Sequence, residues 1–396
     1  MVKGILMVAG EASGDLYGAG LARELKLLYP PLQIRGMGGD RMREAGVDLL
    51  VPSGRLAVVG VSEALGKLRL LHRAYERLRR ALWEERPGVL VLIDFPDFNL
   101  FLARTARKAG VPVLYYVSPQ VWAWRSGRIR TIRRLVERML VTLPFEEGIY
   151  RQAGVEVTYV GHPLLDCLPN NLSQERVRQE LGLEQGLPVV GLLPGSREEE
   201  VQRHLPLMLE AARRILQEIP QARFLLAKAD SLRSTYVEER LALEELPILS
   251  LAGRTYEIMR AADLLLVASG TATLEAALLE VPMVIIYRVS PISWFLGRIL
   301  VQVPYIGLAN LVVGKRVVPE LIQFQATPER IATTALELLA DPRALEEMRK
   351  ELRQVRVRLG GKGASRRAAL AVLGIMGLEA KEIPPEGEGC GYISAF

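Results

Sequence analysis

Short runs of Val, Ile and Leu recur along the chain, separated by longer stretches in which apolar residues return every three or four positions. The first kind reads as strands buried on both faces, and the second as helices that cover a parallel sheet with one apolar stripe. Strands are predicted at Ile5–Ala9, Val89–Ile93, Val113–Val117, Met139–Leu143 and Val157–Val160, with helices at Tyr17–Leu28, Glu63–Glu85, Leu100–Ala109 and Ile129–Arg138. A turn-prone segment, Pro169–Ser173, then breaks the pattern. It restarts with strands at Val189–Leu193, Phe224–Ala227, Ile248–Leu251, Leu264–Ala268 and Met283–Tyr287 and ends in helices over Pro328–Gly377. Two doubly wound α/β units are expected, over 1–168 and 169–378, with a disordered tail at 379–396. Their βα loops would gather along a shared cleft.

Composition narrows this picture. The 396 residues exceed what one hydrophobic core usually organises, and 49% hydrophobic with 24% charged residues suits a globular enzyme. Cys167 and Cys390 are too few and too far apart for a disulfide framework or a zinc cluster, which points to a reducing compartment. The charge-free stretch Ile299–Gly314 is interrupted by Gln302, Pro304 and Asn310 and falls short of the ~20 residues a spanning helix needs. A net charge of +6 suits an anionic partner without choosing among nucleic acid, phospholipid and phosphorylated metabolite. His72, His162 and His204 are scattered, which gives little support to a histidine metal site or a Ser-His-Asp triad.

Candidate chemistry lies where strands run into Gly-containing turns. Gly10-Glu11-Ala12-Ser13-Gly14-Asp15 follows the first strand; Ser13 or Asp15 reads equally as a helix cap, whereas Glu11 faces the cleft with no capping duty. After Ile93 comes Asp94-Phe95-Pro96-Asp97-Phe98-Asn99. Asp97 is a candidate general base for a sugar hydroxyl or else a helix cap, and Asp94 reads as structural. Gly195-Ser196-Arg197 opens a helix after Leu193, where free N–H groups, the helix dipole and a guanidinium suit a diphosphate. Ser196 with Glu199 also reads as a capping box. A second such turn, Ser269-Gly270-Thr271, precedes Glu275, which either accepts ribose hydroxyls or complements the dipole.

Two further stretches admit two readings each. Trp122 and Trp124 suit sugar stacking or interdomain packing, and the arginines from Arg125 to Arg138 suit an anionic partner or a solvated helix face. Val58–Arg86 mixes apolar residues with Lys67, Arg69, Arg73 and others, as an interfacial segment does and as an ordinary covering helix also does. Pro291–Leu296, with Trp294 and Phe295, is a second apolar patch.

Taken in order, GEASGD at 10–15, IDFPDFN at 93–99, YVSPQVWAWR at 116–125, LPGSREEEV at 193–201 and ASGTATLEAAL at 268–278 resemble the lipid-A-disaccharide synthase family, as do Gly161-His162-Pro163 and the segment from Asn310 to Gln323. The resemblance spans residues 1 to about 375. It implies a GT-B fold and a metal-independent inverting transfer of 2,3-diacylglucosamine from UDP to 2,3-diacylglucosamine 1-phosphate, forming a β-1,6 linkage without a cofactor. On this resemblance Asp97 is the expected base, with Glu11 beside it. Gly195, Ser196, Arg197, Ser269, Gly270, Thr271 and Glu275 are expected to hold UDP, and Asn310, Glu320 and Gln323 to border the donor. Ser13 and Asn99 are placed on the acceptor side, and Val61, Leu65, Leu68 and Arg69 at an anionic membrane surface. A cytoplasmic protein held peripherally at the inner membrane is expected, a homodimer in one version, with no nucleic-acid partner. A UDP-N-acetylglucosamine 2-epimerase is the competing expectation: it would share the architecture and interconvert UDP-sugars. A non-catalytic nucleic-acid or membrane binder is the third.

Overall fold

The computed structural model describes residues 3–53, 64–121, 127–169, 172–229, 232, 235–291, 294–295, 297 and 303–381, with the backbone alone at 64–67. Among the described residues thirteen strands follow in chain order: β1 Ile5–Ala9, β2 Ile34–Gly38, β3 Asp48–Pro52, β4 Val89–Ile93, β5 Val113–Tyr116, β6 Arg138–Val141, β7 Val157–Tyr159, β8 Val189–Leu193, β9 Arg223–Lys228, β10 Ile248–Ala252, β11 Leu264–Ala268, β12 Met283–Tyr287 and β13 Glu320–Ile322. They form two sheets, ordered β3-β2-β1-β4-β5-β6-β7 and β10-β9-β8-β11-β12-β13. Neighbouring strands are parallel, for example β1 with β4 and β8 with β11. Numbered from the first strand of each unit, both sheets run 3-2-1-4-5-6, the doubly wound arrangement, and the first sheet adds a seventh strand at its edge.

The central strands β1, β4, β8 and β11 are buried at every position, because helices cover both faces of each sheet. Their continuous apolar runs are what made them legible. β2, β3 and β13 were not. Ile-Arg-Gly-Met-Gly carries two glycines and an arginine, β3 is a half-exposed edge beginning at Asp48, and β13 has three residues and opens on a glutamate. Helix Pro96–Lys108 begins earlier than its apolar pattern, since Pro96 takes the first helical position.

Helix Ala364–Met376 does not stay with the second sheet. It packs along helix Ala12–Leu28 and under β4 of the first. Asp166 fixes its start by accepting hydrogen bonds from the backbone N–H groups of Gly363 (2.6 Å) and Ser365 (2.8 Å), and Arg367 Nε donates to the Val160 carbonyl at 2.8 Å. Chain order and packing therefore part at Gly360. The expected tail lies outside the described residues from 382 onward.

Candidate active site

Each sheet reverses its strand order once, between β1 and β4 and between β8 and β11, and a crevice opens beyond the carboxyl ends of such strand pairs. The turns that leave those strands carry Glu11, Asp94, Arg197 and Ser269. The two crevices face each other, because Arg197 Nη2 donates to Glu11 Oε2 at 2.7 Å across 186 positions of sequence. This ion pair joins the units at the site.

In the first unit, Glu11 is the N-cap of helix Ala12–Leu28 but makes no side-chain cap bond, so its carboxylate is available to Arg197. Asp15 does not cap its own helix. It accepts the N–H groups of Gly39 (2.7 Å), Arg41 (3.2 Å) and Met42 (3.1 Å) and so anchors the start of helix Asp40–Glu44. Beside this turn, Asp94 and Phe95 adopt left-handed backbone with φ of 47° and 46°, a costly state for two residues that are not glycine. Asn99 holds them there: its Nδ2 donates to the carbonyls of Ile93 (3.2 Å) and Asp94 (2.7 Å), and the Tyr115 hydroxyl adds 2.5 Å to the latter. Phe95 in turn packs over Gly10, where a Cβ would stand 2.4 Å from its ring. Burial first, and Glu11 second, push the Asp94 carboxyl up to about 6, while the Phe95 N–H and Arg197 pull the other way. Asp97, on the same turn, is 77% exposed and ion-paired to Arg128.

In the second unit, the helix begins at Glu198 with Arg197 as N-cap, and the capping carboxylate is Glu200, not Glu199. Glu200 Oε2 accepts from the N–H groups of Ser196 (3.2 Å) and Arg197 (3.4 Å), and Oε1 accepts from Arg197 Nη1 at 3.0 Å. Gly195 has φ +124°, and a Cβ there would stand 2.7 Å from Glu200, so the turn needs its glycine. Burial alone would lower the Arg197 pKa; Glu11 and Glu200 outweigh it and raise it. Ser269 donates weakly to the Ile306 carbonyl at 3.5 Å, and Gly270 and Thr271 open helix Thr271–Leu278 beside it. Glu275, one turn in, accepts from the Tyr256 hydroxyl at 2.9 Å; burial raises its pKa against that bond and against Arg41 of the first unit.

Asn310, Glu320 and Gln323 are buried, and each is bonded to backbone. Glu320 accepts from Ile306 and Gly307 N–H, both at 3.0 Å, and from Asn310 Nδ2 at 2.8 Å; Asn310 Oδ1 accepts from Val317 (2.7 Å) and Val318 (2.9 Å). Glu320, itself held by Asn310, thus fixes the backbone at Ile306, whose carbonyl meets Ser269, while Gln323 holds Val289. Asn99 is likewise buried under the Asp94 turn, and Ser13 is half-buried on the first helical turn. Leu68 is 67% exposed and Arg69 is exposed beside it; Val61, the Leu65 side chain, Trp122, Trp124 and Arg125 lie outside the described residues. Sequence patterns gave no sign of Asp94 as more than structural, nor of Glu200, Tyr256 and His204. Tyr256 and His204 find their partners 19 and 84 positions away, and Glu200 matters through Arg197, whose other partner, Glu11, is 186 positions from it.

The protein family described as Lipid-A-disaccharide synthetase matches residues 5–375. The chain is similar to the lipid-A-disaccharide synthase of Syntrophus aciditrophicus, at 48% identity over 372 residues, 94% of this chain and 97% of that one. Among solved structures it is similar to a UDP-GlcNAc 2-epimerase from Neisseria meningitidis bound to UDP-GlcNAc, with a TM-score of 0.60 at 12% identity over 93% of this chain and 99% of that one. It is also similar to CalG4, the calicheamicin glycosyltransferase, with a TM-score of 0.59 at 17% identity over 94% and 98%. Likeness at such low identity shows the GT-B fold and no more.

Proposed function

Because the chain belongs to the lipid-A-disaccharide synthase family, and so is a glycosyltransferase of lipid A biosynthesis, we propose that its cleft transfers 2,3-diacylglucosamine from UDP to the 6-hydroxyl of 2,3-diacylglucosamine 1-phosphate. The observation that carries this is the Glu11–Arg197 pair, which sets a cation of one unit against carboxylates of the other across the cleft. The diphosphate lies at the Gly195–Arg197 turn with Ser269, Gly270 and Thr271 opposite, and Glu275 meets the ribose. A diphosphate entering there takes Arg197 from Glu11 and offers it a doubly charged partner.

The acceptor oxygen then forms a bond to the anomeric carbon on the face opposite the diphosphate, the bond from that carbon to the diphosphate oxygen breaks, and UDP departs with the electron pair. Arg197 stabilises the charge that develops on it. The hydroxyl proton passes to a carboxylate of the Asp94–Asp97 turn. The family resemblance suggests Asp97. The geometry favours Asp94, which is on the cleft side beside Glu11 and Arg197, and whose pKa of about 6 makes it a stronger base than an exposed carboxylate while leaving it mostly ionised at neutral pH. Incubation with both acylated substrates should release disaccharide 1-phosphate and UDP in equal amounts by mass spectrometry. Interconverted UDP-sugars without disaccharide would return the chain to the epimerase class.

Both substrates carry acyl chains, and no helix among the described residues is long and apolar enough to cross a membrane. We place the lipid contact on helix Ala64–Glu84, where Leu68 stands exposed next to Arg69, His72 and Arg73. Exposed Phe101, its ring tilted against Tyr75 of that helix at a centroid distance of 4.8 Å, extends the apolar surface. Replacing Leu65 and Leu68 by serine should lower sedimentation with anionic vesicles roughly tenfold or more at low salt. High salt should weaken only the arginine contribution. Unchanged sedimentation would move the contact to the patch of Trp294 and Phe295, the latter 63% exposed.

A further inference from the structure

His204 is a buried titratable group for which the transfer described above has no use. It lies in the second turn of helix Glu198–Glu218 at 3% exposure, and both ring nitrogens are engaged. Nδ1 meets the Pro194 carbonyl at 3.2 Å, and Nε2 meets the backbone N–H of Arg288 at 3.1 Å. A carbonyl oxygen only accepts and a peptide N–H only donates. The tautomer follows: Nδ1 carries the hydrogen and Nε2 the lone pair. Burial lowers the imidazole pKa, with the Pro194 carbonyl acting against it, which keeps the ring in the neutral form these bonds require.

The two backbone groups it joins belong to strand ends that are not neighbours. Pro194 follows β8 and Arg288 follows β12, with β11 between them in the sheet. The turn that leaves β11 is Ser269-Gly270-Thr271, so His204 ties together the two flanks of that turn. Gln323 fixes the adjoining residue, its Oε1 accepting from Val289 N–H and its Nε2 donating to the Val289 carbonyl, both at 3.0 Å. A space-filling role alone needs neither polar contact; a leucine fills a comparable volume and leaves Pro194 and Arg288 without partners.

We propose that His204 is a positioning residue of the donor site: it holds the Pro194–Arg197 turn at a fixed spacing from the end of β12, so that Arg197 and the turn meet the diphosphate already oriented. The proposal rests on the placement of the UDP diphosphate at that turn. A preformed site loses less freedom on binding, so the loss of the strut is read in donor affinity and not in acceptor affinity.

Three variants test it. His204→Leu removes both contacts, His204→Asn keeps a donor near the Nδ1 position, and His204→Gln keeps an acceptor near the Nε2 position. The Kd for UDP by calorimetry and the KM for UDP-diacylglucosamine are expected to rise about tenfold in His204→Leu. The KM for the acceptor should stay within twofold, and the Asn and Gln variants should each recover part of the loss. A His204→Leu protein that melts at a lower temperature but binds UDP as wild type does overturns the proposal and leaves a structural histidine. Should that variant not fold, wild-type UDP affinity in both His204→Asn and His204→Gln overturns it equally. Arg197→Ala serves as the reference. Unchanged UDP binding there removes the donor placement itself, whereas weakened binding there with normal binding in the His204 variants removes the strut alone.

Discussion

Asp94→Asn is expected to turn over at least ~10²-fold more slowly than wild type at pH 7.5, with UDP affinity within about twofold. Asn keeps the shape and tolerates the left-handed backbone at φ 47°, so the loss isolates the proton acceptor. Asp97→Asn, which weakens the pair with Arg128, should lose much less. The opposite ranking in single-turnover assays assigns the base to Asp97, and wild-type rates in both remove the base from this turn. Stability should move the other way. The folded pKa of Asp94, about 6, lies above the ordinary 3.8, so folding favours the protonated form. The stability this brings is complete below pH 4 and is lost as pH rises through 6. Asp94→Asn should therefore be more stable than wild type at pH 7.5, by up to ~3 kcal/mol, and lose that advantage at pH 4. A wild-type melting curve at every pH would show that the carboxyl carries no such cost.

Arg197→Ala should weaken UDP binding by roughly 1.5 to 3 kcal/mol, the usual range for one hydrogen bond to a charged group. In the free protein the guanidinium is shared between Glu11 and Glu200. Removing it leaves Glu11 beside Asp94 without its cation, so carboxylate repulsion adds to the loss of the contact. Glu11→Gln should do the reverse for binding, because UDP no longer competes with a carboxylate for Arg197; tighter UDP with slower turnover is the expected pair of results. Calorimetry on both variants checks this, and unchanged affinity in Arg197→Ala returns the residue to its pair with Glu200.

The legible part of this molecule was its burial. Continuous apolar strands such as Val89–Ile93 and Leu264–Ala268 matched the structure residue for residue, because burial on both faces admits little else. Strands that pair at an edge or carry glycines, such as Ile34–Gly38, have no such signature. Within the cleft, turn chemistry pointed to Glu11, Arg197 and Ser269, since a Gly turn after a buried strand is a local pattern. The course of the Asp94–Asp97 turn, and with it where its carboxylates stand, depended on two left-handed residues and on Asn99 and Tyr115, which hold them. Asn310, Glu320 and Gln323 were expected at the donor border on the family resemblance alone; the hydrogen bonds they make run to the backbone at Ile306–Gly307, Val317–Val318 and Val289. Periodicity cannot tell a side chain that touches a ligand from one that builds the wall.

The return of helix Ala364–Met376 to the first sheet sets the order in which the enzyme is completed during synthesis. The ribosome delivers the seven strands of the first sheet before the second sheet begins, yet the helix that covers Ala12–Leu28 emerges only after the last described strand of the second. Until then the apolar face of that early helix, with Asp166 waiting for Gly363 and Ser365, has no native cover. The unit begun first is thus completed only after the second sheet, and the growing chain carries an open apolar surface throughout the making of the second, where a holding chaperone has most to do.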